Sequence, residues 1–229
     1  MAKHIGIVAS SYEGSALCYR MICAEATRRL GDYTHPEITL HNFSLSDYMN
    51  RIWQEDWEGA GRLLLDSARK LAATGAELVI CPCNTLHQGV PEIRDASPIP
   101  WLHIGDVVAR EAQDAGYKKV GVLGTEYLMK SRVYPESMGA VGIACVMPDE
   151  ADRNRVDRVI MVELVDGMIT DDARRTVLDV IERLAAKGCD AVALACTELP
   201  LLVGPGEAVV PALDSTRLLA RAALAASFE

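Results

Sequence analysis

Leu71–Thr85 reads LAATGAELVICPCNT, and Leu184–Glu198 reads LAAKGCDAVALACTE. The stretches align without a gap at an offset of 113 residues and are identical at six of fifteen positions: Leu71/Leu184, Ala72/Ala185, Ala73/Ala186, Gly75/Gly188, Val79/Val192 and Cys83/Cys196. Each copy runs from a helical end through a glycine, suited to a left-handed C-cap, into a short apolar run bounded by turn residues. Each run ends in a cysteine followed by hydroxyl or amide side chains. The unit therefore reads as helix, buried strand and polar loop, built twice.

Working outward, the repeat continues at drifting offsets. His4–Val8 pairs with Lys119–Leu123, and Ile99–Pro100 through Arg110 pairs with Val210–Pro211 through Arg221. Apolar, mostly β-branched runs predict strands at His4–Ala9, Glu37–Phe43, Glu77–Ile80, Ile99–Ile104, Lys119–Leu123, Gly142–Met147, Asp190–Ala195 and Ala208–Ala212. Three and four spacing predicts helices at Gly14–Leu30, Trp57–Thr74, Asp106–Ala115, Asp152–Asp166, Asp171–Lys187 and Ser215–Ala226, with Gly31, Gly75, Gly116 and Gly188 just beyond four of them. This alternation is the α/β pattern, with helices covering parallel strands. Two similar lobes are expected, 1–105 plus 206–229 carrying Cys83 and 106–205 carrying Cys196. The C-terminal segment then completes the first lobe after the chain has crossed to the second and back.

With 229 residues, half of them hydrophobic, the chain can bury a large core without disulfide staples. Its longest nearly apolar stretches, such as Ala191–Cys196, fall far short of the roughly 20 residues that span a bilayer. Ile5–Ala9 is too short and badly flanked for a signal peptide, so a cytoplasmic location is expected, and seven cysteines do not resemble a secreted framework. A formal net charge of -9 without a run of Lys or Arg lacks the surface that nucleic acid requires. A small molecule is the expected partner.

Cys83 and Cys196 each lie just past the carboxyl end of a strand, the edge where open α/β sheets bind ligands. A helix starting right after each thiol would favour its thiolate, and opposed edges would present one thiol to each face of a substrate. Inversion of a proton-bearing carbon needs that arrangement, one base removing the proton and an acid returning it from the other side. Either cysteine alone would read as core packing. Their shared repeat position favours chemistry.

Cys81-Pro82-Cys83-Asn84-Thr85-Leu86-His87 and Ala195-Cys196-Thr197-Glu198-Leu199-Pro200 resemble the two signature motifs of the aspartate/glutamate racemase superfamily, and Gly121–Thr125 and Pro148-Asp149-Glu150 extend the likeness over nearly the whole chain. The resemblance implies a two-lobed α/β fold with pseudo-twofold symmetry, a homodimer, and amino-acid racemisation without pyridoxal phosphate or metal. It implies Cys83 and Cys196 as the catalytic pair, with Asn84, Thr85 and Thr197 holding the substrate's carboxylate and amino groups. Ser10, Ser11 and Thr125 fall where the family binds substrate, and Arg51 resembles a basic residue that in some members reaches a distal carboxylate. Two positions depart from the family: Ala9-Ser10-Ser11 replaces a Gly-Gly-Met stretch, and Leu128 stands where many members have a second Thr.

His87, four residues after Cys83, reads either as a tuner of that thiol or as a packed histidine near a helix start. Glu198 reads as first-turn stabilisation or as an electrostatic neighbour of Cys196. Cys81, Cys83 and His87 match no usual zinc spacing, and Gly121–Gly124 lacks the remainder of a dinucleotide fingerprint, so no metal or cofactor is expected. The reading is a two-cysteine racemase of a small, acidic amino acid such as aspartate or glutamate. Alternatives are a related hydantoin racemase, cis-trans isomerase or decarboxylase, or a ligand-binding protein of the same fold.

Overall fold

A computed structural model describes residues 2–204 and 206–229. The chain divides into two compact units, Met1–Val107 with Thr216–Glu229, and Val108–Ser215. Each contains a four-stranded, wholly parallel sheet.

In the first unit β1 (Ile5–Ala9), β2 (Ile38–Asn42), β3 (Leu78–Ile80) and β4 (Trp101–Leu102) lie in the order β2-β1-β3-β4. Side chains alternate across β1, and the alternation decides which helix meets which face. Ile5 and Ile7 join Cys18 and Ile22 of α1 (Tyr12–Leu30), Ile104 of α4 (Ile104–Asp114), and Leu219, Ala220 and Ala223 of α10 (Ser215–Ala226) in one core. Gly6 between them meets Leu71 of α3 (Trp57–Ala73), whose Cβ and Cδ1 lie 3.2 Å from where a Gly6 Cβ would stand.

The second unit repeats the plan. β5 (Lys119–Leu123), β6 (Ala144–Val146), β7 (Ala191–Leu194) and β8 (Ala212–Asp214) are ordered β6-β5-β7-β8. Gly121 takes the place of Gly6, and a Cβ there would lie 2.8 Å from Cδ1 of Leu184 on α8 (Asp171–Ala186). Leu71 and Leu184 are both 1% exposed. Removing each side chain from water contributes about 1.5–3 kcal/mol, so the repeated leucine and its glycine socket are a stability device used twice. Gly75 (φ +95°) and Gly188 (φ +85°) leave the two helices in the left-handed region that favours glycine.

The structure differs from the sequence expectations where hydrogen bonding over long range intervenes. β4 is shorter than Ile99–Ile104 because Pro100 has no N–H; its carbonyl still accepts from Val79 N at 2.9 Å. Pro211 does the same for Val192 N at 2.9 Å, so β8 begins only at Ala212. That strand pairs with β7 in the second sheet, through Val192 beside Ala212, rather than joining the first lobe with the rest of 206–229. Helix α10, whose Leu219 and Ala223 belong to the first core, does return there.

Two further helices, α2 (Leu45–Trp53) and α6 (Val133–Ala140), lie outside the predicted helices, as do the single turns α5 (Glu126–Met129) and α9 (Leu199–Leu202). Asp152–Asp166, expected as one helix, is α7 (Glu150–Arg158) followed by a π-turn at Val159–Glu163 and a 3-10 turn at Leu164–Asp166, closed by Gly167 at φ +73°. Among the described residues no helix is long and apolar enough to cross a membrane.

Candidate active site

At the carboxyl edge of the first sheet, β1 delivers Ser10 and Ser11, β2 delivers Asn42, and β3 leads into Cys81-Pro82-Cys83. Ser10 is buried. The end of the Asn42 amide that faces the carbonyls of Ala9 (2.9 Å), Ser10 (3.2 Å) and Phe43 (2.8 Å) is assigned as the nitrogen, because only a donor suits three acceptors, and it ties the loops after β1 and β2 together. Ser11 caps α1 by accepting from Gly14 N at 3.3 Å. Cys83 is half-buried in an extended conformation (φ -78°, ψ 104°). It opens a 3-10 turn, Asn84–Gly89, and not the α-helix whose dipole would favour the thiolate. Asn84 and Thr85, the first residues of the turn, are buried.

Two residues behind this turn have a structural use. The Cys81 thiol is completely buried and donates toward Cys83 O at 3.9 Å; burial above all pushes it well above the ordinary thiol range, so it stays a thiol. His87 is also fully buried, its Nε2 2.9 Å from Cys81 O and its Nδ1 accepting from Ile104 N at 3.4 Å. Its ring meets His103 edge to face, centroids 4.6 Å apart. Burial first, then the neighbouring His103, lowers its pKa to about 3, which makes His87 a neutral imidazole.

Arg51 lies in the last turn of α2, exposed, with Nη1 2.8 Å from Asp56 Oδ2. The same helix carries Tyr48, which sequence reasoning missed. Tyr48 is fully buried, and burial above all drives its phenol upward, with Ser67 opposing and the thiols of Cys81 and Cys83 adding to the rise. A buried tyrosine beside the cysteine motif left no mark in the spacing, because its helix is only nine residues long.

At the carboxyl edge of the second sheet, Gly124 and Thr125 follow β5, and Ala195-Cys196-Thr197-Glu198 follow β7. A Cβ on Gly124 would lie 2.9 Å from Ala195 O and 2.7 Å from Leu128 Cδ2, so glycine lets the two loops approach. Leu128 is fully buried, and its backbone N–H donates to Thr125 Oγ1 at 3.3 Å, capping the start of α5. Cys196 is half-buried; its thiol donates to Glu198 Oε2 at 3.0 Å, and the Thr197 hydroxyl donates to the same oxygen at 2.5 Å. One carboxylate oxygen thus gathers the thiol and its neighbouring hydroxyl. Helix α9 begins only at Leu199, again later than a helix starting at the cysteine. Ser215 donates to Leu194 O at 2.9 Å and anchors the end of β7.

Each sheet edge therefore offers a half-buried thiol at the exit of the strand beside the central one, flanked by buried hydroxyl or amide groups. Such an edge can accept or donate a proton and hold a small anion by hydrogen bonds.

The chain is similar to known proteins over nearly its whole length. Residues 5–223 match the family described as Asp/Glu/hydantoin racemase. The chain is 26% identical over 200 residues, 87% of its length and 85% of the relative's, to the broad-specificity amino-acid racemase RacX of Bacillus subtilis (strain 168). A candidate Asp/Glu racemase from Yersinia pestis superposes with a TM-score of 0.91 at 33% identity, over 99% of this chain and 100% of that one. An aspartate racemase homologue from Pyrococcus horikoshii OT3 does so with a TM-score of 0.85 at 28% identity, over the whole of both chains.

Proposed function

The chain belongs to the Asp/Glu/hydantoin racemase family, and on that premise we propose that it inverts the α-carbon of a small amino acid with Cys83 and Cys196 as its two proton carriers. The observation that carries this reading is the recurrence of one half-buried thiol at the same strand exit of both repeats. In one direction the Cys83 thiolate takes the α-proton, the C–H electron pair passes into the α-carboxylate as an enolate, and the Cys196 thiol returns a proton from the other face. In the reverse direction the roles exchange. The reading requires both thiols to reach the same carbon.

Asn84, Thr85, Thr125 and Thr197, with Ser10 and Ser11, are the proposed donors that hold the substrate and oppose the charge building on its carboxylate. Glu198, by accepting the Cys196 S–H, holds that thiol's proton in a defined direction. No cofactor enters the proposal. Arg51 is the proposed partner of a distal carboxylate, which makes aspartate or glutamate the preferred substrate. Its ion pair with Asp56 favours a second reading, in which side chains without a carboxylate are also accepted. The resemblance further implies a homodimer, which sedimentation of the purified chain tests.

The deciding experiment follows the α-proton in deuterated water with Cys83→Ser and Cys196→Ser. Each variant should lose racemisation by about 10³-fold or more and retain slow wash-in of deuterium on a single enantiomer, opposite in the two variants. Racemisation at the wild-type rate in either variant would end the two-thiol reading.

A further inference from the structure

The turn Asn84–Gly89, which follows Cys83, is pinned from behind by a buried side chain. His87 is its fourth residue. Its Nε2–H donates to Cys81 O at 2.9 Å, the carbonyl two residues before the thiol, and its Nδ1 accepts the N–H of Ile104, the first residue of α4, at 3.4 Å. The ring therefore bridges the exit of β3 to the start of a helix that packs on the same sheet. Beyond His87 the turn ends against α3, where a Cβ on Gly89 would lie 2.8 Å from Gly61 N and from Trp57 O.

The two hydrogen bonds need one tautomer, with the proton on Nε2 and Nδ1 bare. Protonating Nδ1 would set two N–H groups against each other at Ile104. The charged and titratable groups that bear on the ring are His103 and Arg94, which act with burial to keep it neutral, and Asp106, which opposes them. A neutral imidazole with both nitrogens occupied by backbone has no proton to offer a substrate. What it can do is fix where Cys83 stands.

We infer that His87 is a positioning residue for the Cys83 thiol, holding the turn by its bridge from Cys81 O to Ile104 N. The inference rests on the proposed role of Cys83, so the test reads the thiol itself as well as turnover. In His87→Leu both hydrogen bonds are lost at similar volume; in His87→Gln the amide can donate to Cys81 O and accept from Ile104 N. Alkylation of Cys83 and of Cys196 by iodoacetamide, followed peptide by peptide by mass spectrometry from pH 6 to 10, is measured beside kcat and KM.

His87→Leu should change the rate and pH profile of alkylation at Cys83 and leave those at Cys196 as they were. It should lower kcat by about 10- to 100-fold with KM little changed, as a thiol displaced by a fraction of an ångström would. His87→Gln should restore both readouts most of the way. A folded His87→Leu with the wild-type Cys83 profile and kcat overturns the inference, and so does a folded His87→Gln that loses as much as the leucine variant. If the leucine variant fails to fold, His87→Asn, which reaches only one partner, takes its place; wild-type behaviour there also overturns the inference. Failure of the two-thiol reading is separate: it shows as turnover in Cys83→Ser, while the alkylation profile still reports on His87.

Discussion

Arg51 and Asp56 are joined across the end of α2: Nη1 stands 2.8 Å from Oδ2, while the other carboxylate oxygen, Oδ1, accepts from Gly59 N at 2.8 Å and caps α3. The Gly59 amide first, and Arg51 after it, hold the Asp56 carboxyl below its usual range, so it stays ionised at neutral pH. The guanidinium proposed to read a distal carboxylate is thus already matched by a fixed negative charge.

That pairing makes specificity testable from both sides. Arg51→Leu should lower kcat/KM for aspartate and glutamate by about tenfold, the scale of one charge-assisted contact at a partly exposed position, and leave alanine unchanged. Asp56→Asn, which removes the competing charge, should raise kcat/KM for the acidic substrates several-fold at most. Equal losses on all three amino acids in Arg51→Leu would take Arg51 out of substrate selection.

Activity should survive removal of cofactors. Protein treated with a chelator and with hydroxylamine, then desalted, should racemise at the untreated rate, because each proposed proton transfer runs between the α-carbon and a sulfur of the chain itself. Loss of turnover that pyridoxal phosphate or a divalent metal restores would contradict the proposal.

The contact between α3 and the Cys83 turn predicts an asymmetry among glycines. At Gly61 a Cβ would lie 2.7 Å from Gly89 O, and at Gly89 it would meet Gly61 N and Trp57 O at 2.8 Å, all of them backbone atoms with little freedom to move. Gly61→Ala and Gly89→Ala should each destabilise by about 1–3 kcal/mol. Gly139, inside α6 with no atom within 4 Å of an added Cβ, should gain about 0.4–1 kcal/mol as alanine. Chemical denaturation of the three variants checks this.

Asp152 predicts a pH dependence of stability. Its side chain is 7% exposed and accepts from Arg183 Nε at 2.6 Å and Nη2 at 2.8 Å; the Arg183 bonds above all hold its carboxyl below the usual value. A depressed folded pKa means that the stabilisation is complete above the unfolded pKa of about 3.9 and is lost as pH falls through the lower folded value. Asp152→Asn should therefore be less stable than the parent by about 1–3 kcal/mol at pH 7. The gap should close as the pH is taken below 4, and urea titrations at pH 7, 4 and 3 measure it.

The sequence by itself determined the repeated unit, the α/β class and the location of both cysteines at strand ends, since all of these are written in spacings of two, three and four residues and in glycines such as Gly75 and Gly188 that only one backbone conformation explains. Tertiary structure alone decided that β8 pairs with β7 while α10 packs beside β1, that Cys83 opens a 3-10 turn rather than a helix, and that Leu128 fills the space beside Gly124. It also decided that both nitrogens of His87 serve the backbone of Cys81 and Ile104, and that Arg51 meets Asp56. The physical reason is the range of the interactions. Periodic burial acts between near neighbours and leaves its pattern in the chain, whereas the hydrogen bonds and close contacts that set a side chain's role join groups such as His87 and Ile104, whose separation along the chain no local pattern records.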